Sequence, residues 1–268
     1  MISLATASQK GGVGKTTVCI NLGHALAKRG WKTLLVDTDP QGGIGLSLSK
    51  STRKKRGFFD FLSLGGEAKS FILPTKLPDF SILPSGSTHD LSLLGNYKAM
   101  KEKVHELLTQ LKELDYDCVM LDTAAGLSSV TEVIVREADW VVIPQQAEPL
   151  AVRSIPLLLE TLSRFRSEGA KVRIAGILLT MLQSNHKASQ QVAEELRQML
   201  PASMLFTQAI PRDPLFMDAS VHGLPLALIK RNPPPTALLF EQIAVELEER
   251  LGLHNHQDNA PVHASILD

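Results

Sequence analysis

Nine consecutive residues, Gln9-Lys10-Gly11-Gly12-Val13-Gly14-Lys15-Thr16-Thr17, gather three glycines, two lysines and two hydroxyls. Glycines let a backbone curl so that successive N–H groups point at phosphate oxygens, and a helix beginning at the end of the loop adds the positive end of its dipole. Lys15 supplies a point charge for β- and γ-phosphates, and the Thr16 hydroxyl can ligate Mg²⁺. Three aspartates lie downstream at the ends of apolar runs: Asp37 and Asp39 in Leu34-Leu35-Val36-Asp37-Thr38-Asp39-Pro40, and Asp122 after Val119-Met120-Leu121. Transfer of a phosphoryl group to water needs positive charge, positioning and one water-orienting group rather than covalent chemistry. These residues supply each part.

The elements that must position them follow from periodicity. Short Val/Ile/Leu runs at 2–7, 33–36, 80–83, 118–121, 140–143, 172–179 and 204–208 read as strands, several of them apolar on both faces. Helix-period segments at 16–28, 98–114, 128–137, 151–166, 188–200 and 236–251 alternate with them. Alternation of this kind predicts an α/β, three-layer fold with a mostly parallel twisted sheet covered by helices on both faces. In it the glycine-rich loop joins the first strand to the first helix. Residues 1–251 read as one domain and 252–268, polar and histidine-bearing, as a disordered tail. The segment 47–66, with Lys50, the run Arg53-Lys54-Lys55-Arg56 and the cluster Phe58, Phe59 and Phe61, fits neither pattern.

Composition removes other classes. Lys+Arg and Asp+Glu are both 28 in 268 residues, so the zero net charge excludes a basic coat while leaving room for a local patch. The two cysteines, Cys19 and Cys118, form no metal-binding pair, which fits a reducing compartment. The N-terminus has no basic segment of the signal-peptide kind, and no apolar run approaches the ~18 residues of a membrane span. A cytoplasmic protein is expected.

The ordered motifs resemble one family over roughly residues 1–251. Lys10-Gly11-Gly12-Val13-Gly14-Lys15-Thr16-Thr17 is similar to the deviant Walker A loop of the ParA/MinD ATPases. Asp37-Thr38-Asp39-Pro40-Gln41 resembles their second acidic motif, Val119–Asp122 their Walker B strand, and Ile210-Pro211-Arg212-Asp213 their segment beside the adenine. The resemblance implies an ATP- and Mg²⁺-dependent ATPase that dimerises on ATP and is slow without a stimulating partner. Lys10 would cross the dimer interface to the partner's phosphates. Gly11, Gly12, Val13, Gly14, Lys15, Thr16 and Thr17 would hold the nucleotide, with Pro211 and Asp213 at the base and Gly126 offering its N–H to the γ-phosphate. Asp39 would orient the attacking water, while Thr16, Asp37 and Asp122 would hold or support Mg²⁺. Such a protein moves or places DNA or a protein complex through an adaptor.

The chain also departs from the family. Asp122-Thr123-Ala124-Ala125-Gly126 lacks the two prolines usual after Walker B, and Asp213 stands where partitioning members carry Asn. The positions of their DNA-contacting arginines fall on Asn185 and Leu215, so nonspecific DNA binding, and the nucleoid association it would bring, would rest on Lys187, Lys230 and Arg231. A membrane-cycling regulator resembling MinD is the alternative. It needs a basic C-terminal amphipathic helix, whereas this one ends Glu246-Leu247-Glu248-Glu249-Arg250, and no membrane contact is expected. An iron–sulfur carrier would need cysteine ligands at a dimer interface, and a tyrosine kinase a tyrosine cluster where only Tyr97 and Tyr116 exist.

Overall fold

The structure is a computed structural model that describes residues 1–48, 55–77, 79–87, 95–127 and 129–253. Lys50, Arg53, Lys54, Ser128 and the tail from residue 254 lie outside the described residues. Seven strands form one sheet: β1 (Ile2–Thr6), β2 (Thr33–Asp37), β3 (Leu73–Pro74), β4 (Phe80–Leu83), β5 (Cys118–Asp122), β6 (Trp140–Gln146) and β7 (Arg173–Thr180). Their order is β3-β4-β2-β5-β1-β6-β7, with every pair parallel except β3 against β4. The predicted mostly parallel sheet is present.

The central strands β1, β2 and β5 are buried on both faces, which is why they read as unbroken apolar runs. On one face lie α1 (Lys15–Lys28) and α9 (Pro235–Leu251), sharing a core with Leu4, Leu35 and Met120. On the other lie α4 (Tyr97–Lys112), α5 (Ser129–Glu137), α6 (Pro149–Ser167) and α7 (Lys187–Met199), packed with Leu34, Val119 and Ile143. Alternate residues of each strand serve alternate cores.

Three short helices were not anticipated: α2 (Gly43–Leu48), α3 (Phe58–Leu64) and α8 (Leu215–His222). Helix α3 accounts for the aromatic cluster, because Phe58, Phe59 and Phe61 are all buried in the core it shares with α4. Arg56, from the basic run, lays its guanidinium 4.6 Å from the centre of the Phe71 ring. The expected strand at 204–208 is not a strand. A 3₁₀ turn at Ala202–Met204 precedes a single bridge between Leu205 and Ile177, and Arg250 donates to the carbonyls of Ala175, Ser203 and Leu205 in place of a neighbouring ladder. Among the described residues no helix is long and apolar enough to cross a membrane.

Candidate functional site

The parallel register brings the chemistry together at the C-terminal ends of the central strands. Thr6 pairs with Asp122 between β1 and β5, and Asp37 pairs with Asp122 between β2 and β5. The loop after β1 then turns directly into α1. Gly12 and Gly14 adopt left-handed φ values of 73° and 89°, which L side chains rarely tolerate, so glycine is required at both turns. Gly14 is the N-cap of α1 and gives it no side-chain cap, leaving first-turn N–H groups directed at the loop's concavity. Val13 is fully buried and plugs the loop into the core.

Lys15 opens α1 and is only 7% exposed. Burial lowers its pKa, while the charges of Asp122 and Asp39 act in the opposite direction. Beside it the Thr16 hydroxyl donates to Asp122 Oδ2 at 2.7 Å, and Thr6 Oγ1 donates to Asp122 Oδ1 at 3.4 Å. Asp37 and Asp122 are both completely buried. Burial pushes each carboxyl up to about 7, and for Asp122 the charge of Asp37 adds to the rise.

Hard oxygen donors, two of them carboxylates crowded together in a buried position, suit Mg²⁺, which neutralises such a pair while keeping several of its waters. The backbone of Gly43 approaches these groups closely. A Cβ on Gly43, the first residue of α2, would lie 2.8 Å from Thr16 Oγ1 and 3.6 Å from Asp122 Oδ2. The sequence reading missed Gly43, and its only local signal is the Gly42-Gly43 pair after the acidic motif.

Two of the expected residues are engaged within the protein in this structure. Asp37 is not a free ligand: its Oδ2 accepts from the backbone N–H groups of Ile44 and Gly45 at 3.0 and 3.4 Å, and its Oδ1 from Asp39 N–H at 3.3 Å. It therefore anchors the start of α2, and any support it gives a metal comes through that loop. Gly126 N–H donates to the Ser8 carbonyl at 2.9 Å, so it is not aimed at a γ-phosphate in this conformation. Asp39 is half-buried at the mouth, with Oδ1 accepting from Gln41 N–H at 2.8 Å.

A cavity of about 520 Å³ adjoins the loop, lined by Gly14, Thr17, Met181, Pro211, Asp213 and Phe216 among others. Asp213 faces it with both oxygens engaged, Oδ1 by Leu215 N–H at 2.9 Å and Oδ2 by the Thr236 hydroxyl at 2.5 Å. Lys10 stands at the loop's outer edge and pairs with Glu148, the residue preceding α6. Lys187, Lys230 and Arg231 are all exposed, at the start of α7 and after the 3₁₀ turn Leu226–Leu228. Leu215, by contrast, is half-buried against Ala219, Leu226 and Ala237, and Asn185 is an exposed neutral residue. Cys19 and Cys118 are buried thiols whose pKa values burial raises, Cys118 to about 12, so neither is placed as a ligand.

Residues 1–175 match the AAA domain family AAA_31. The chromosome-partitioning ATPase Soj of Thermus thermophilus is 34% identical over 256 residues, covering 92% of this chain and 96% of its own. The chromosome partitioning protein ParA of Caulobacter vibrioides is 33% identical over 233 residues, covering 84% of this chain and 86% of its own. Among solved structures, an ATP complex of a McdA variant from Cyanothece superposes with a TM-score of 0.80 at 21% identity, over 95% of this chain and 97% of that one. The glycine loop, the paired acids at the strand ends and this likeness over nearly the whole length agree: the chain belongs to the ParA/Soj family of partitioning ATPases.

Proposed function

We propose that this protein binds ATP and hydrolyses it slowly to ADP and phosphate, and that two copies close face to face on the bound triphosphate. The observation that carries this reading is the uncapped start of α1 beneath Gly12 and Gly14, with Lys15 and the Thr16–Asp122 hydrogen bond beside it. Backbone N–H groups of residues 11–17 cradle the phosphates, and Lys15 neutralises the bridging charge. Thr16, with Asp122 behind it and Asp37 fixing the adjacent loop, would hold Mg²⁺, which would supply positive charge to the phosphates. Asp39, half-buried at the mouth, orients the attacking water. The adenine enters the cavity beside Pro211, where Asp213 presents only acceptors to the base. Lys10, at the outer edge of a loop already served by Lys15, crosses to the partner's phosphates.

Hydrolysis then separates the two copies, and a partner protein that accelerates it converts the cycle into movement or placement of cargo. Nonspecific DNA is the proposed matrix, held through Lys187, Lys230 and Arg231. Family membership supports the partitioning role, since the Soj and ParA relatives carry that name.

Phosphate release measured with and without Mg²⁺ tests the enzymatic core of this reading. Slow, Mg²⁺-dependent turnover is expected, abolished by Asp39→Ala, with Lys15→Ala losing nucleotide binding itself. Undiminished ATP affinity in Lys15→Ala would show that the phosphates bind elsewhere.

A further inference from the structure

Glu148 occupies the N-cap of α6 but does not cap it. Its backbone is extended (φ −138°, ψ 160°), and its side chain accepts no hydrogen bond from the helix's own first-turn N–H groups. The short side chains Ser, Thr, Asp and Asn ordinarily accept one at this position, whereas the longer Glu leaves its carboxylate free to reach elsewhere. Here Pro149 follows at the first helical position, and the carboxylate instead turns to Lys10 and pairs with its ammonium group. The backbone of Glu148 is fixed on both sides: its N–H donates to Gln146 O at 2.9 Å, and its carbonyl accepts from Ala151 N–H at 2.8 Å. Lys10 Nζ is thus held by an acid whose position the end of β6 determines. The side chains are 39% and 24% exposed, so the pair stands at the surface, where either partner can leave it.

We propose that Glu148 is a positioning residue for Lys10, holding the lysine on its own subunit until a partner's triphosphate replaces the carboxylate. This inference rests on the proposed ATP-dependent dimer. In the described single subunit the anion paired with the lysine is the carboxylate of Glu148. In the dimer it meets a polyanion with several oxygens and greater charge. Closing therefore exchanges two lysine–carboxylate pairs for two lysine–phosphate contacts, and the pairs oppose closure. Glu148 thereby sets how much ATP is needed before two copies associate, without touching the nucleotide of its own subunit.

The test titrates ATP with Mg²⁺ against the full chain carrying Asp39→Ala, which suppresses turnover, and follows dimer formation by sedimentation velocity. Adding Glu148→Gln, which keeps the side chain's shape and removes its charge, should lower the ATP half-point for dimerisation by about 1.4-fold to fivefold, the range expected for one partly exposed ion pair per bound ATP. Glu148→Ser, which also gives α6 a hydroxyl cap, should shift it in the same direction. Affinity of the single subunit for a fluorescent ADP analogue should stay unchanged in both, a separation that general loosening of the fold would not produce. An unchanged or higher half-point in whichever variant folds overturns the proposal. Lys10→Ala, run in parallel, separates the two readings. If it dimerises like its parent, the crossing role of Lys10 fails, and Glu148 with it. If it abolishes dimerisation while the Glu148 variants leave the half-point unmoved, Glu148 alone is wrongly assigned.

Discussion

The Thr180 hydroxyl donates to the Val13 carbonyl at 2.8 Å, tying the last residue of β7 to the middle of the glycine loop. Both residues are buried, and the chain beyond Thr180 runs into Met181, which lines the adjoining cavity with Pro211 and Asp213. One hydrogen bond thus sets the phosphate end of the site relative to the base end. Thr180→Val keeps the shape, removes the donor and leaves a buried carbonyl unsatisfied, at a cost of about 1–3 kcal/mol. We expect the variant to fold, melt several degrees lower and bind ATP about tenfold more weakly by fluorescence titration. Unaltered affinity would show that the loop holds its form without the tether.

Gly43→Ala probes the space above Thr16. The added methyl would sit 2.8 Å from Thr16 Oγ1, so the hydroxyl or the start of α2 must shift. The expected result is a loss of Mg²⁺-dependent turnover of at least tenfold, with nucleotide binding in the absence of metal nearly unchanged. A fall in both equally would place the damage in the loop rather than at the metal.

Asp37 and Asp122 give the nucleotide-free protein a defined pH dependence. Each has a folded pKa of about 7, raised above its ordinary value by burial, so each binds protons in the native state that the unfolded chain has released. Their contribution is complete below the unfolded pKa of about 4 and is lost as pH rises through 7. Thermal melts without nucleotide or metal should therefore show a falling Tm between pH 5 and pH 8, and Asp122→Asn should flatten that fall. A Tm that rises over this interval and is insensitive to Asp122→Asn would contradict the burial argument.

The proposed DNA binding through exposed cations has a salt signature. Each phosphate neutralised contributes about −0.9 to the slope of log K against log salt. Reversing Lys230 and Arg231 to Glu should weaken ATP-dependent gel shifts for every sequence tested and flatten the slope. The absence of any ATP-dependent shift at low salt would mean that another matrix or partner is used, since Leu215 is committed to packing and Asn185 carries no charge.

The parts of this site that were legible in sequence are those whose chemistry is local. Residues 9–17 and Asp122 each carry their meaning within a strand and the turn after it, and the alternating apolar runs located six of the seven strands. The pieces that were not legible depend on long-range contacts. Gly43 matters because α2 folds back over Thr16, and Glu148 matters because β6 ends beside the loop after β1. The way Asp37 is held was not legible because nothing in its neighbours announces the two α2 amides that donate to one of its oxygens. The segment 204–208 has a strand's composition, but Arg250, from a helix more than forty residues on, takes the carbonyls a strand would use.

The central claim is that Lys10 acts across an ATP-dependent dimer, and size-exclusion chromatography in ATP and Mg²⁺ tests it most directly. The Asp39→Ala protein should elute as a dimer, and as a monomer when ADP replaces ATP. The Lys10→Ala, Asp39→Ala protein should remain monomeric in both nucleotides while still binding ATP. A double variant that dimerises as fully as its Asp39→Ala parent would contradict the account.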